Sequence, residues 1–122
     1  MKPLTNQKFS TILQKVKKFR DDREWMQFHN PKDMAEAIVI EASELLELFL
    51  WKDKSESNKS FSNKKFKEEV SDEIADVATF LIELADNHGI DIEKAIENKI
   101  KKNEKKYPVS KSKGNKTKYT KL

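Results

Sequence analysis

Apolar and polar positions recur with helical spacing along most of this chain. Phe9, Ile12, Leu13, Val16 and Phe19 fall three and four residues apart, which predicts a helix over 5–24 with Thr5 as its N-cap. Asn30, Pro31 and Asp33 make a helix start, and the apolar period that follows predicts a second helix over 31–53. A third helix is expected over 62–88, stopped by Gly89 as a left-handed cap. A fourth, over 92–106, is capped by Asp91, carries Ile92, Ala95, Ile96 and Ile100, and ends at Pro108. The intervening KDKSESNKSFSNKK is polar, has no period and reads as a loop. No segment alternates as a strand does. The expected fold is all-α, a four-helix bundle whose broad apolar stripes imply packing both within and between subunits.

Two of these helices carry acids on the wrong side. On a helical wheel, Met34, Ile38, Leu45, Leu48 and Phe49 share one face of the second helix, and Glu41 falls inside it. Glu44 sits at the edge beside Ala37, whereas Glu47 points away. In the third helix Val70, Ile74, Val77, Leu81 and Leu84 form the face. Glu73 falls between Phe80 and Leu84, Asp76 lies at the margin, and Asp72 and Glu83 are assigned to the solvent side. A carboxylate turned toward a core is costly unless something pairs with it.

At 122 residues the chain makes one domain, and it has no cysteine for a disulfide, a thiol nucleophile or a thiolate metal site. No run of 18 apolar residues and no apolar leader are evident, so a soluble, cytoplasmic protein is expected, with no membrane partner. The net charge of +4 misleads, because residues 99–122 alone carry +9 and leave −5 for the rest. The expected organisation is a domain over 1–108 and a basic, disordered tail over 109–122.

Acids three apart on a helix lie one turn apart on the same side. If Glu41 and Glu44 face Glu73 and Asp76, four negative charges share one volume. Like charges about 4 Å apart repel by roughly 4 kcal/mol at an effective dielectric near 20. Such a group either takes up protons or holds a hard cation, and all-oxygen ligands select Mg²⁺, Mn²⁺ or Ca²⁺. Mg²⁺ so held suits hydrolysis at phosphorus. The plainer reading is solvated or ion-paired acids, since 25 basic residues are available. Two pairs on neighbouring helices weigh against it. A di-iron bundle needs Glu-x-x-His repeats, and neither His29 nor His88 has Glu three residues before it.

Four blocks in order, WMQFHNPKDM, EASELLELFLW, EIADVATFLIELADNHGID and KIKKNEKKYP, make the chain resemble the MazG-like nucleotide pyrophosphohydrolases, and within them the dCTP pyrophosphatase branch. The resemblance covers most of residues 19–108. It implies an oligomeric all-α enzyme that converts a nucleoside triphosphate to monophosphate and pyrophosphate with Mg²⁺, or with Mn²⁺ in its place. By position, Glu41 and Glu44 match the first metal-binding pair, and Glu73 and Asp76 the second. Glu69 and Asp72 form a competing pair one turn earlier, but the spacing to Gly89-Ile90-Asp91 favours Glu73 and Asp76.

The resemblance also implies nucleotide contacts for Trp25, Gln27, Phe28, His29, Trp51 and the residue at Phe80, and phosphate contacts for Lys99 and Asn103. Without it, the two tryptophans read as core aromatics and His29 as a helix-entry or surface histidine. Lys99 reads equally as a helix-end cation. The chain departs from the dCTP-specific pattern at two positions: Phe80 replaces a tyrosine, and Val16 occupies a position where that branch can have histidine. Ile40 replaces the first acid of the doubled glutamate common in the wider family.

The resemblance implies a pyrophosphohydrolase for pyrimidine deoxynucleotides of the dCTP type, in which a carboxylate helps deprotonate the attacking water, and a role in cleansing the nucleotide pool. The expected partners are the nucleotide and further copies of the chain, as a dimer or tetramer. Two alternatives belong to other classes: a non-catalytic helical interaction module, and a nucleic-acid-binding protein acting through the basic tail, whose binding would weaken steeply with salt.

Overall fold

The computed structural model describes residues 6–122. Four long helices dominate: α1 (Asn6–Asp22), α2 (Pro31–Glu47), α4 (Lys64–Asn87) and α5 (Ile92–Lys106), with short helices α3 (Lys54–Ser60) and α6 (Val109–Ser112) between and after them. Two 3-10 turns, Trp25–Phe28 and Tyr119–Lys121, complete the order, and there is no strand among the described residues. The all-α expectation holds. Thr5, expected to cap the first helix, lies outside the described residues.

The helix ends follow from local chemistry. The Asn30 side chain accepts from the Asp33 amide at 2.9 Å and Pro31 occupies the first helical position, so α2 begins where its missing N–H costs nothing. Asn63 and Asp91 cap α4 and α5 in the same way. Gly89 takes the left-handed conformation after α4, with φ 66°.

The second helix is shorter than its apolar pattern predicts. It ends at Glu47, the chain turns through 48–51, and Trp51 adopts a left-handed φ of 62°. The segment expected to be a loop contains α3. Asp53 accepts from the Glu56 amide at 2.8 Å, and the rings of Phe49, Phe61 and Phe66 close around one another with centroids 5.4–6.0 Å apart. Lys52 ties the turn down by donating to Ser60 Oγ at 2.9 Å. This helix is held from outside, which is why it shows no apolar period of its own.

The main pairing is α2 against α4, with α1 and α5 packed more lightly on α4. Few apolar side chains are fully enclosed: Met34 is 1% exposed and Val70 4%. Ile74 and Leu81, placed on the core face by the wheel, are exposed, as are Val39, Ile40, Leu46 and Leu50. Residues 109–122 carry α6 and the Tyr119–Lys121 turn, and Tyr119 packs edge-on against Tyr107 with centroids 5.8 Å apart. No helix is long and apolar enough to cross a membrane among the described residues.

Candidate active site

The α2–α4 pairing brings Glu41, Glu73 and Asp76 together, with one carboxylate oxygen of each within 4.8 Å of the others. Glu41 and Glu73 are half-buried, and each has one buried oxygen, Oε2, that no protein group satisfies. Buried acceptors in folded proteins are seldom left so, and they call for a ligand or a proton. Burial pushes the Glu41 carboxyl up to about 7, and the nearness of Glu44 and then Asp76 adds to this. Glu73 is raised as well, again chiefly by burial, with Glu44 and Asp76 contributing. The donor set is all oxygen and multiply anionic, which fits a hard divalent cation such as Mg²⁺ or Mn²⁺. Glu69 and Asp72 are exposed and stand outside the group.

Beside the acids lies a pocket of about 290 Å³, lined by Val16, Phe19, Arg20, Trp25, His29, Glu41, Asp76, Thr79, Phe80 and Glu83. Its walls come from α1, the Trp25–Phe28 turn and its exit, α2 and α4, so the turn between the first two long helices is what aims Trp25 and His29. Glu24 enters that turn with a left-handed φ of 55°. Trp25 then meets the ring of Phe19 edge-on, centroids 5.8 Å apart, and Arg23 lies 3.8 Å over Phe19. His29 closes the turn by donating its amide to Met26 O at 3.0 Å, one residue before the α2 cap. Phe80 presents its ring to His29 edge-on at 6.3 Å.

Behind the pocket is a polar cluster that the helical wheel misplaced. Glu83, assigned to solvent, is 2% exposed and among the most deeply buried side chains. Its Oε1 accepts from Arg20 Nη1 at 3.0 Å and lies 2.7 Å from His29 Nδ1. Arg20, also buried, donates to Asn87 Oδ1 at 3.2 Å and through Nε to Asp21 Oδ1 at 2.8 Å, and Asn87 donates onward to Met34 Sδ at 3.7 Å. A wheel of α4 alone cannot see this, because the side opposite its main apolar stripe is covered by α1. Little in the sequence pointed to it, because Arg20 opens the polar run RDDREW at the end of α1 and reads there as one more surface charge.

Of the residues singled out by sequence, Glu41, Asp76, Trp25, His29 and Phe80 line this one pocket, and Glu73 joins them through the acid group. Glu44 acts on Glu41 and Glu73 at close range. Val16, noted as a departure, lines the same pocket as Phe80. Gln27 donates to Glu24 O at 2.9 Å and, like Phe28, is not part of the pocket lining. Trp51 is 91% exposed at the far end of α2. Lys99 and Asn103 are exposed on α5, apart from the pocket lining. Arg20, Glu83, Phe19 and Thr79 are additions from the structure.

Comparison with known proteins adds to this geometry. The MazG-like family model matches residues 37–122, a span that contains all four acids.

The chain belongs to the MazG-like family.

It is 36% identical over 104 residues to dCTP pyrophosphatase 1 of Rattus norvegicus and 33% identical to that of Homo sapiens. These alignments take in 85% of the chain and 61% of each relative, so the chain spans about three-fifths of their length. Its backbone is similar to the crystal structure of a pyrophosphatase from Archaeoglobus fulgidus, with a TM-score of 0.78 and 37% identity, over 88% of this chain and 98% of that one.

Proposed function

We propose that this chain is a Mg²⁺-dependent nucleoside triphosphate pyrophosphohydrolase, taking a (d)NTP and water to (d)NMP and pyrophosphate. Its preferred substrates are pyrimidine deoxynucleotides of the dCTP type. The observation that carries the reading is the placement of the acids, two of them with unsatisfied buried oxygens, at the edge of a pocket walled by aromatic rings and an imidazole. The names of the relatives support the same reaction.

Glu41, Glu44, Glu73 and Asp76 would hold the cation, with Mn²⁺ as the alternate ion, and charge on the phosphates would be offset there. A carboxylate of the group takes a proton from water, whose oxygen attacks the α-phosphorus. The bond from that phosphorus to the bridging oxygen breaks, and pyrophosphate leaves with that oxygen. Trp25 and Phe80 pack against the base and sugar, and His29 hydrogen-bonds the nucleotide. The apolar walls keep water from the rest of the pocket.

Oligomerisation belongs to the same proposal. Val39, Ile40, Leu46, Leu50 and Ile74 leave an apolar surface exposed on the chain, and burying it against further copies makes a dimer or tetramer. Trp51, Gln27, Phe28, Lys99 and Asn103, which one chain leaves outside the pocket, are retained as nucleotide-contacting residues of that assembly. The catalytic unit is residues 1–108, with 109–122 a basic extension.

Product analysis tests the reading. A panel of canonical and modified triphosphates is incubated with the parent and with Glu41→Gln and Glu73→Gln, with Mg²⁺ or with chelator. Monophosphate plus pyrophosphate is expected from the parent with Mg²⁺ alone. No turnover of any triphosphate by folded parent protein overturns it. Removing residues 109–122 is expected to leave hydrolysis largely intact; loss of a nucleic-acid-binding activity instead favours the tail as the functional part.

A further inference from the structure

We infer that Glu83 is a positioning residue of this pocket. It locks His29 as the Nδ1–H tautomer, so that the ring presents Nε2 as a hydrogen-bond acceptor to the bound nucleotide, while Arg20 serves as the buried counter-ion. The inference rests on the nucleotide reading above and adds to it a stated polarity for one wall of the pocket.

The geometry supports each part. An ionised carboxylate only accepts, so the 2.7 Å contact between Glu83 Oε1 and His29 Nδ1 requires the proton to sit on Nδ1. Arg20 Nη1 reaches the same oxygen at 3.0 Å and supplies a buried counter-charge that it shares with Asp21, so the imidazole is needed there only as a hydrogen-bond donor. In a neutral ring with its proton on Nδ1, Nε2 carries a lone pair, and among the described residues the hydrogen bond of this ring is made through Nδ1. Neighbouring groups set the place of the ring. Its backbone is tied to Met26, Phe80 stands at its edge, and Asn87 holds Arg20 in place against Met34.

The consequence is chemical. An acceptor set in a wall of Val16, Phe19, Trp25 and Phe80 favours an N–H or O–H donor on the ligand and opposes a keto oxygen at that point. On a nucleotide such donors are the exocyclic amino groups and ring N–H groups of the base and the sugar hydroxyls. A merely structural Arg20–Glu83 pair, pinning α1 to α4, has no need of the imidazole and sets no such preference.

Long-range ¹H–¹⁵N correlation spectra of the two histidines test this directly at mildly alkaline pH. His88 is exposed and serves as the internal reference. The parent is expected to show His29 as the neutral Nδ1–H tautomer, and Glu83→Gln to show a mixture or the Nε2–H form. An Nε2–H tautomer or an imidazolium in the parent overturns the inference, and so does an unchanged tautomer in folded Glu83→Gln. The parent spectrum decides even if the variant does not fold, and it decides whether or not any triphosphate is turned over.

Kinetics supply the second arm. Glu83→Gln is expected to raise KM on the order of tenfold with kcat nearly kept, the loss of one hydrogen bond made equally in ground and transition states. Triphosphates paired to differ only in a ring amino group, or only in the 3′-hydroxyl, identify the donor. Discrimination within one of the two pairs should collapse in Glu83→Gln. If both ratios match the parent's, Glu83 is structural only.

Discussion

Glu41 on α2 and Glu73 on α4 meet across the main helix pairing, and each carries a buried carboxylate oxygen that no protein group satisfies. Neither helix gains stability from that meeting. Like charges and lost hydration both oppose it, so the arrangement is favourable only with a cation or a proton in place.

A divalent cation should therefore stabilise the fold. At a hundredfold excess over its Kd, Mg²⁺ is expected to add about 2.7 kcal/mol. Glu41→Gln and Glu73→Gln should each lose most of that gain, yet melt no lower than the parent in chelator, because one of the opposed charges is gone. Thermal unfolding with Mg²⁺ and with chelator measures this. Equal melting of the parent in both conditions would count against a metal site.

The same acids give a pH dependence whose sign is fixed. Folding raises the Glu41 carboxyl from its ordinary 4.5 to about 7, and it raises Glu73 too. The folded state then binds protons more tightly than the unfolded one. The associated stability is fully present below the ordinary carboxylate value and is lost as pH rises through about 7. Metal-free protein should lose stability over that window, and Glu41→Gln should show a flatter profile. The Mg²⁺-induced gain should grow with pH across the same range. A parent and variant with superimposable profiles in chelator would refute it.

Breaking the Arg20–Glu83 pair from one side should be costly. Arg20→Met leaves Glu83, 2% exposed, without its counter-ion, and a loss on the order of 3–5 kcal/mol is expected. Combining it with Glu83→Leu should recover a large part, since an apolar pair of similar volume needs no hydration. Chemical denaturation of the two single variants and the double reads the coupling. Additive losses would mean that the two side chains do not act as a pair.

Trp25 and Trp51 are predicted to part company. Trp25 lines the pocket beside Phe19, and base stacking on an aromatic face contributes about 1–3 kcal/mol. Trp25→Ala should raise KM by about 5- to 150-fold. The Trp51→Ala effect should appear only under conditions in which the chain is assembled, because one chain alone leaves that indole away from the pocket. Sedimentation run alongside steady-state kinetics separates the two.

Much of the fold was legible because its decisive signals are local. Asn30-Pro31, Asp91 and Gly89 mark helix ends by chemistry that acts within four residues. The acids at 41, 44, 73 and 76 stood out because they violate a period. What the pattern hid depends on distant partners. The α3 helix is closed over by Phe49, Phe61 and Phe66, which meet only in three dimensions. Glu83 was assigned to water because a wheel gives each residue one direction and does not know that α1 covers that side with Arg20. Ile74 and Leu81 erred the opposite way, being apolar on a face that one chain leaves uncovered.

The two indoles also give the protein a built-in optical readout. Trp51, 91% exposed, should emit at long wavelength and be quenched readily by iodide, whereas Trp25, 43% exposed and packed on Phe19, should be quenched less and emit at shorter wavelength than Trp51. With no other tryptophan to confuse the signal, Trp51 fluorescence is expected to report the proposed assembly and Trp25 fluorescence the proposed occupancy of the pocket. Both processes can thus be watched in one unlabelled sample.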